Sequence, residues 1–170
     1  MPVEPDNDRR LQDVADALRG RLGEAVLLHL SLAKDGLIVK LRPAGLRDAL
    51  LFLKEDQGFN ALLDIIALDR LKRGSAGPGP ASPRFEVLYQ LYRFPAGLRI
   101  RLSVEAMEGE EIASAQPIYK SADWAEREAY DMFGIRFAGH PCLRRIYLPD
   151  DFEGFPLRKD FPLEGTKRGL

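Results

Sequence analysis

The sequence predicts an α+β fold: a mostly antiparallel sheet with two or three helices packed on one side, followed by an extended, proline-spaced C-terminal tail. Three observations carry this expectation. Residues 98–106 alternate Leu98, Ile100, Leu102 and Val104 with Arg99, Arg101, Ser103 and Glu105, the pattern of a strand with one face in the core and one in water. Residues 8–22 and 121–133 repeat their apolar residues at helical spacing instead. From Gly139 onward, Pro141, Pro149, Pro156 and Pro162 recur between charged pairs, which denies a long helix or a central strand.

The elements follow in order. Leu11, Val14, Ala15, Leu18 and Leu22 line one side of the first helix, and Gly23 stops it. Residues 24–32 and 37–42 read as strands joined by a turn at 34–36, where Gly36 accepts a positive φ. A second helix spans 44–56, with Leu46, Leu50 and Leu53 on one face. The apolar run 59–69 fits a buried strand, although periodicity alone also admits a helix. Gly, Pro and Ser crowd residues 74–83, so a mobile hairpin loop is expected over 72–84. Strands at 85–93 and 98–106 and an acidic connection at 107–116 lead to the third helix, with Ser121 at its N-cap and Gly134 at its end. Residues 1–138 form the α+β domain, and 139–170 form the tail, expected to lie on a partner.

Composition excludes several classes. The chain has 170 residues, 25 Lys+Arg against 26 Asp+Glu, and no apolar run near the ~20 residues that span a bilayer. A neutral chain has no global electrostatic reason to seek nucleic acid or anionic lipid. One cysteine, Cys142, cannot build an iron–sulfur cluster. Two histidines, His29 and His140, leave little material for a metal site, and His29 reads as a structural residue in an apolar strand. No phosphate-cradling glycine motif or serine nucleophile elbow is present. The polar N-terminus carries no signal-peptide core, so a protein of a reducing compartment is expected.

The densest polar cluster lies on the third helix. At 100° per residue, Ala122, Ala125, Ala129, Met132 and Phe133 fall on one face, to approach the sheet. Trp124, Arg127, Glu128 and Asp131 fall opposite, with Glu126 and Tyr130 at the margin. Tryptophan and arginine beside carboxylates suit an interface, and a solvated face laced with weak ion pairs suits the pattern equally. Glu128, Asp131 and His140 raise the alternative of a freestanding enzyme, which requires all three in one pocket. The tail's Arg144, Arg145, Arg158 and Lys159 raise that of a phosphate-binding module. Asp150, Asp151, Glu153 and Asp160 interleave with them, however, which suits a protein partner better than a polyanion.

The run Glu126-Arg127-Glu128-Ala129-Tyr130-Asp131-Met132-Phe133-Gly134-Ile135, then Phe137, Gly139-His140-Pro141 and Leu143-Arg144-Arg145-Ile146, resembles a family signature. It is similar to that of the thirty-kilodalton subunit of respiratory complex I, the C component of NADH–quinone oxidoreductase. Leu148 to Gly154 and Pro156 to Leu163 continue the likeness, and it loosens over 59–106. The resemblance implies a non-catalytic subunit of the peripheral arm, on the cytoplasmic side of the bacterial membrane. It implies packing against the quinone-site subunit (the D component of the complex) and near iron–sulfur subunits. It implies that FMN, iron–sulfur clusters and quinone belong to the assembled complex and none to this chain. Equivalent subunits of a ferredoxin-dependent complex or a membrane-bound hydrogenase are the neighbouring alternative. Phe155 stands where the family usually has histidine, and the chain ends seven residues after Leu163, short of the family's longer C-terminal extensions. Trp124, Glu126, Arg127, Glu128, Tyr130, Asp131, His140, Arg144, Arg145, Asp150, Asp151, Arg158, Lys159 and Asp160 are the expected docking residues, and Arg158 is expected to face the partner.

Overall fold

A computed structural model describes residues 5–34, 36–71, 82–162 and 164. The chain runs α1 (Pro5–Leu22), β1 (Leu27–Ala33), β2 (Gly36–Leu41), a 3-10 turn (Pro43–Gly45), α2 (Leu46–Glu55), β3 (Ala61–Asp69), β4 (Phe85–Arg93), β5 (Leu98–Ala106), β6 (Ile112–Ala113), α3 (Ala122–Phe133) and β7 (Phe137–Ala138). The order in the five-stranded sheet is β1-β2-β5-β4-β3. Only the central β2–β5 pair is parallel; the other three are antiparallel. The expected α+β architecture is present, and the ambiguous run at 59–69 is strand β3.

Alternation decides which face of the sheet is covered. Val39, Leu102, Tyr89 and Ile65 share one register row and are all buried. Leu18 of α1 and Leu46, Leu50 and Leu53 of α2 close over that face, and each is fully buried. Burying such a side chain contributes roughly 1.5–3 kcal/mol, so this layer holds the fold together. The opposite face carries Arg99, Arg101 and Glu105 and remains partly open. His29 lies on that open face of edge strand β1, opposite Lys40, and is exposed rather than a buried structural histidine.

The second, smaller sheet was not legible in the sequence. Within the connection read as merely acidic, Ile112–Ala113 pairs in parallel with Phe137–Ala138, just beyond α3. This pairing fixes both ends of α3 on the domain. Gly134 ends the helix at φ 74°, with its N–H donating to the Tyr130 carbonyl. A Cβ at this position would lie 2.6 Å from the Phe155 ring and from Arg158, so glycine also admits the tail. Ser121 occupies the N-cap position without capping; its hydroxyl donates to the Leu62 carbonyl at 2.9 Å and ties α3 to β3. The mobile loop expected at 72–84 falls mostly outside the described residues, but its last residue, Arg84, is a buried hub.

Candidate functional site

The tail folds back on its own chain. Residues 140–161 have no regular secondary structure, so their backbone groups need partners from elsewhere. Asp131 supplies the largest share. Its Oδ2 accepts from the N–H groups of Ile146, Tyr147 and Leu148 at 3.0, 2.8 and 3.2 Å, and its Oδ1 accepts from Arg145 at 2.9 Å. Burial alone would raise the Asp131 pKa, but these four donors outweigh it and hold the carboxyl below the usual carboxylate range. Arg145 also donates to the carbonyls of Phe152 and Gly154, so one ion pair organises residues 145–154.

Arg127 does the same one turn earlier, donating to the carbonyls of Arg144 and Arg145 at 3.2 and 3.4 Å. Its guanidinium also lies 5.0 Å from the Trp124 ring centre. At the end of α3, Arg158 donates to the Phe133 carbonyl at 2.6 Å and to Glu108 at 2.9 Å. Phe155 lies beneath it, 4.4 Å from the guanidinium and 5.3 Å from that of Arg145. This phenylalanine therefore serves as an aromatic platform for two arginines.

The far end of the tail is clasped by Arg84, which is only 2% exposed. Arg84 pairs with Asp69 at 3.1 Å, Asp160 at 2.6 Å and Glu108 at 2.9 Å. Asp69 accepts in addition from the N–H of Lys159 and of Leu71, both at 2.9 Å. Burial raises the Asp69 carboxyl, and Arg84 with the two N–H donors brings it below its ordinary value. For Asp160 the Arg84 hydrogen bond is the leading cause, and its pKa also falls. Sequence reasoning missed Asp69, Arg84 and Glu108 because they lie up to 39 residues apart; only a tertiary contact shows that they form one group.

These facts correct the helical wheel. Arg127 and Asp131, placed on an outward face, are buried under the chain's own tail, and Glu126, placed at the margin, is fully buried. Arg158, expected to face a partner, donates within the chain to the Phe133 carbonyl and to Glu108. Tyr130 is half-buried beside a groove of about 410 Å³ lined by Phe85, Glu108, Phe155 and Arg158. Glu128, Asp131 and His140 do not converge. His140 meets Asp123 at the start of α3, Asp131 lies eight residues (~12 Å) further along the helix, and Glu128 points outward to Tyr147. The basic residues of the tail are dispersed too, since Arg145 and Arg158 pair internally while Arg144 and Lys159 are exposed.

Several of the expected residues remain outward. Trp124 and Tyr147 are each 64% exposed, and the Tyr147 hydroxyl lies 3.5 Å from Glu128, one helical turn beyond Trp124. Arg144, Asp150 and Asp151 are exposed on the same tail. Fold and site thus define an α+β domain clasped by its own C-terminal tail, with Trp124, Glu128 and Tyr147 left exposed.

The relatives narrow this to one family. The family described as respiratory-chain NADH dehydrogenase, 30 Kd subunit, matches residues 39–167. The C component of NADH-quinone oxidoreductase from Trichlorobacter lovleyi is 40% identical over 90% of this chain and 90% of its own length. One from Rhizobium etli, numbered 2 in that organism, is 48% identical over 70% of this chain, a match that spans 60% of that relative's length. Among solved structures, the trypsin-resistant fragment (1–134) of Nqo5 superposes with a TM-score of 0.64 at 31% identity, covering 79% of this chain and 99% of the fragment. A chain of an archaeal membrane-bound sulfane sulfur reductase shares the fold, with a TM-score of 0.70 at 20% identity over 89% of this chain and 85% of that one. The chain belongs to the 30-kilodalton subunit family of respiratory-chain NADH dehydrogenase, that is, of NADH–quinone oxidoreductase.

Proposed function

We propose that this chain is a non-catalytic structural subunit of the peripheral arm of complex I. It docks through the exposed Trp124–Glu128–Tyr147 face and its flanking charges Arg144, Asp150 and Asp151. The neighbour it braces is the quinone-site subunit, on the cytoplasmic side of the membrane. Family membership supports the setting, and among the described residues no helix is long and apolar enough to cross a membrane. FMN, the iron–sulfur clusters and quinone are held by other subunits, in keeping with a chain that has a single cysteine and no nucleotide loop. Contribution to electron transfer and proton translocation is then indirect, through the position of the neighbouring subunit.

The observation that carries this reading is the division of labour along the signature. Arg127, Asp131, Arg145 and Arg158 are occupied internally, whereas Trp124 and Tyr147 stand exposed without an internal role of comparable size. The test is complementation of a strain lacking the chromosomal copy with Trp124→Ala plus Glu128→Lys. Assembled complex on native gels and NADH–quinone activity of membranes should fall several-fold, while the purified chain keeps its thermal midpoint. Full assembly with the double variant would overturn the docking face. Cross-linking from position 147 in the assembled complex should capture the quinone-site subunit, and capture of a different one would reassign the neighbour.

A further inference from the structure

The docking reading leaves unused a cluster of titratable groups at the start of α3. Glu126 is fully buried and accepts from the Ser114 hydroxyl at 2.5 Å and the Ala115 N–H at 2.6 Å. His140, at the root of the tail, faces it from the other side with its side chain wholly enclosed. Nε2 lies 3.2 Å from Asp123 Oδ1, 3.3 Å from the Asp123 carbonyl and 3.9 Å from Glu126 Oε2. The opposite nitrogen, Nδ1, accepts from the Cys142 N–H at 3.1 Å. With Nδ1 accepting from Cys142, Nε2 is the nitrogen that turns an N–H toward Asp123 and Glu126. From β4, Tyr89 turns a buried hydroxyl toward this region, and among the described residues that hydroxyl has no hydrogen-bond partner. Arg127 is directed away, to the tail carbonyls and Trp124.

Glu126 is therefore a buried carboxyl with two neutral donors, a histidine, a tyrosine and a second acid, Asp123, around it, and among the described residues no lysine or arginine is paired with it. We propose that Glu126 and His140 form a buried proton-binding site that secures the root of the tail. With a proton on Glu126 the buried carboxyl is uncharged and residues 139–142 stay closed over it. When the Glu126 carboxyl gives that proton to water, an uncompensated anion is left in the interior beside Asp123, and the segment opens to hydrate it. Burial is the leading cause that pushes the Glu126 pKa up to about 7, with Asp123 adding to it and Ser114 and Ala115 opposing it. The sign follows directly. The folded chain holds this proton more tightly than the unfolded chain, so the site's contribution to stability is complete below about pH 4.5 and is lost as pH rises through about 7. A displacement of that size corresponds to roughly a 100-fold or larger change in the folding equilibrium.

The test uses the full chain labelled with carbon-13 at glutamate side-chain carboxyls, with Glu126→Gln for assignment and comparison. One carboxyl resonance should titrate near neutrality and be absent from the variant. Amide exchange of Gly139, His140 and Cys142, taken as the ratio of wild type to Glu126→Gln at each pH so that intrinsic base catalysis cancels, should rise several-fold between pH 5.5 and 8.5. The wild-type thermal midpoint should decline over the same range while that of the variant stays flat. A Glu126 carboxyl fully ionised at pH 5.5 would overturn the proton site, and a constant exchange ratio would overturn its hold on the tail. Should the variant not fold, assignment through the wild-type side-chain and backbone correlations still decides the titration.

Discussion

The two ends of α3 carry buried carboxylates in opposite electrostatic settings. Asp131 and Glu126 are both inaccessible to solvent and only five residues apart. Near the C-terminal end, Asp131 receives Arg145 and three backbone N–H groups and is held ionised. Near the N-terminal end, Glu126 receives one hydroxyl and one N–H, with the acid Asp123 acting on it, and is pushed toward neutrality. Burial raises both; what differs is the number and charge of the donors. Depth alone therefore does not say whether a buried acid is an ion.

The largest expected effect breaks the charged end. Asp131→Ala leaves Arg145 and three N–H groups without their acceptor and should cost about 3–5 kcal/mol in urea unfolding, with trypsin gaining access to Arg144 and Arg145. Arg84→Met at the other clasp should cost about 2–4 kcal/mol, since Asp69 keeps its bonds from Leu71 and Lys159. An amide swap sharpens the contrast between the two carboxylates. Asp131→Asn should cost about 2 kcal/mol at pH 7 because hydrogen bonds to a charged acceptor are lost, whereas Glu126→Gln, which mimics the protonated acid, should cost far less by the same measurement. Acid acts on Asp131 in the reverse sense to Glu126. Its folded pKa is depressed, so its contribution is present above about pH 4 and is lost as pH falls below the unfolded value. That loss should vanish from the pH-stability profile of Asp131→Asn. Smallest of all, Trp124→Ala should shift the stability of the isolated chain by no more than ~0.5 kcal/mol, because its side chain is largely in water.

Much of the fold was legible in local pattern. The alternation at 98–106 placed β5 and its buried face, helical spacing placed α1 and α3, and Gly134 marked the end of α3. These features depend on neighbours within a few residues, and the backbone periods of strand and helix print them directly on the chain. The run Glu126–Ile135 with its proline-spaced sequel was enough to suggest the family, because order and spacing over some forty residues are far more specific than any single motif. The site was less legible. A helical wheel assumes one wet face, and it set Arg127 and Asp131 there because both are charged. It could not show that the tail would return over them.

That return is what the tertiary structure decided. The sequence by itself determined the longer helices and most strands, the apolar faces of α1, α2 and β5, the single cysteine and the kinship. Which acids become ions, which arginines turn inward and which aromatics stay outside depended on contacts such as Asp69–Arg84–Asp160 and Asp131–Arg145. The physical reason is the length scale of each effect. Hydrophobic periodicity repeats over two to four residues and is written locally, whereas the state of a charge depends on every donor within a few ångströms. The folded backbone brought those donors from as far as 90 residues away along the chain, as it did the Lys159 N–H to Asp69.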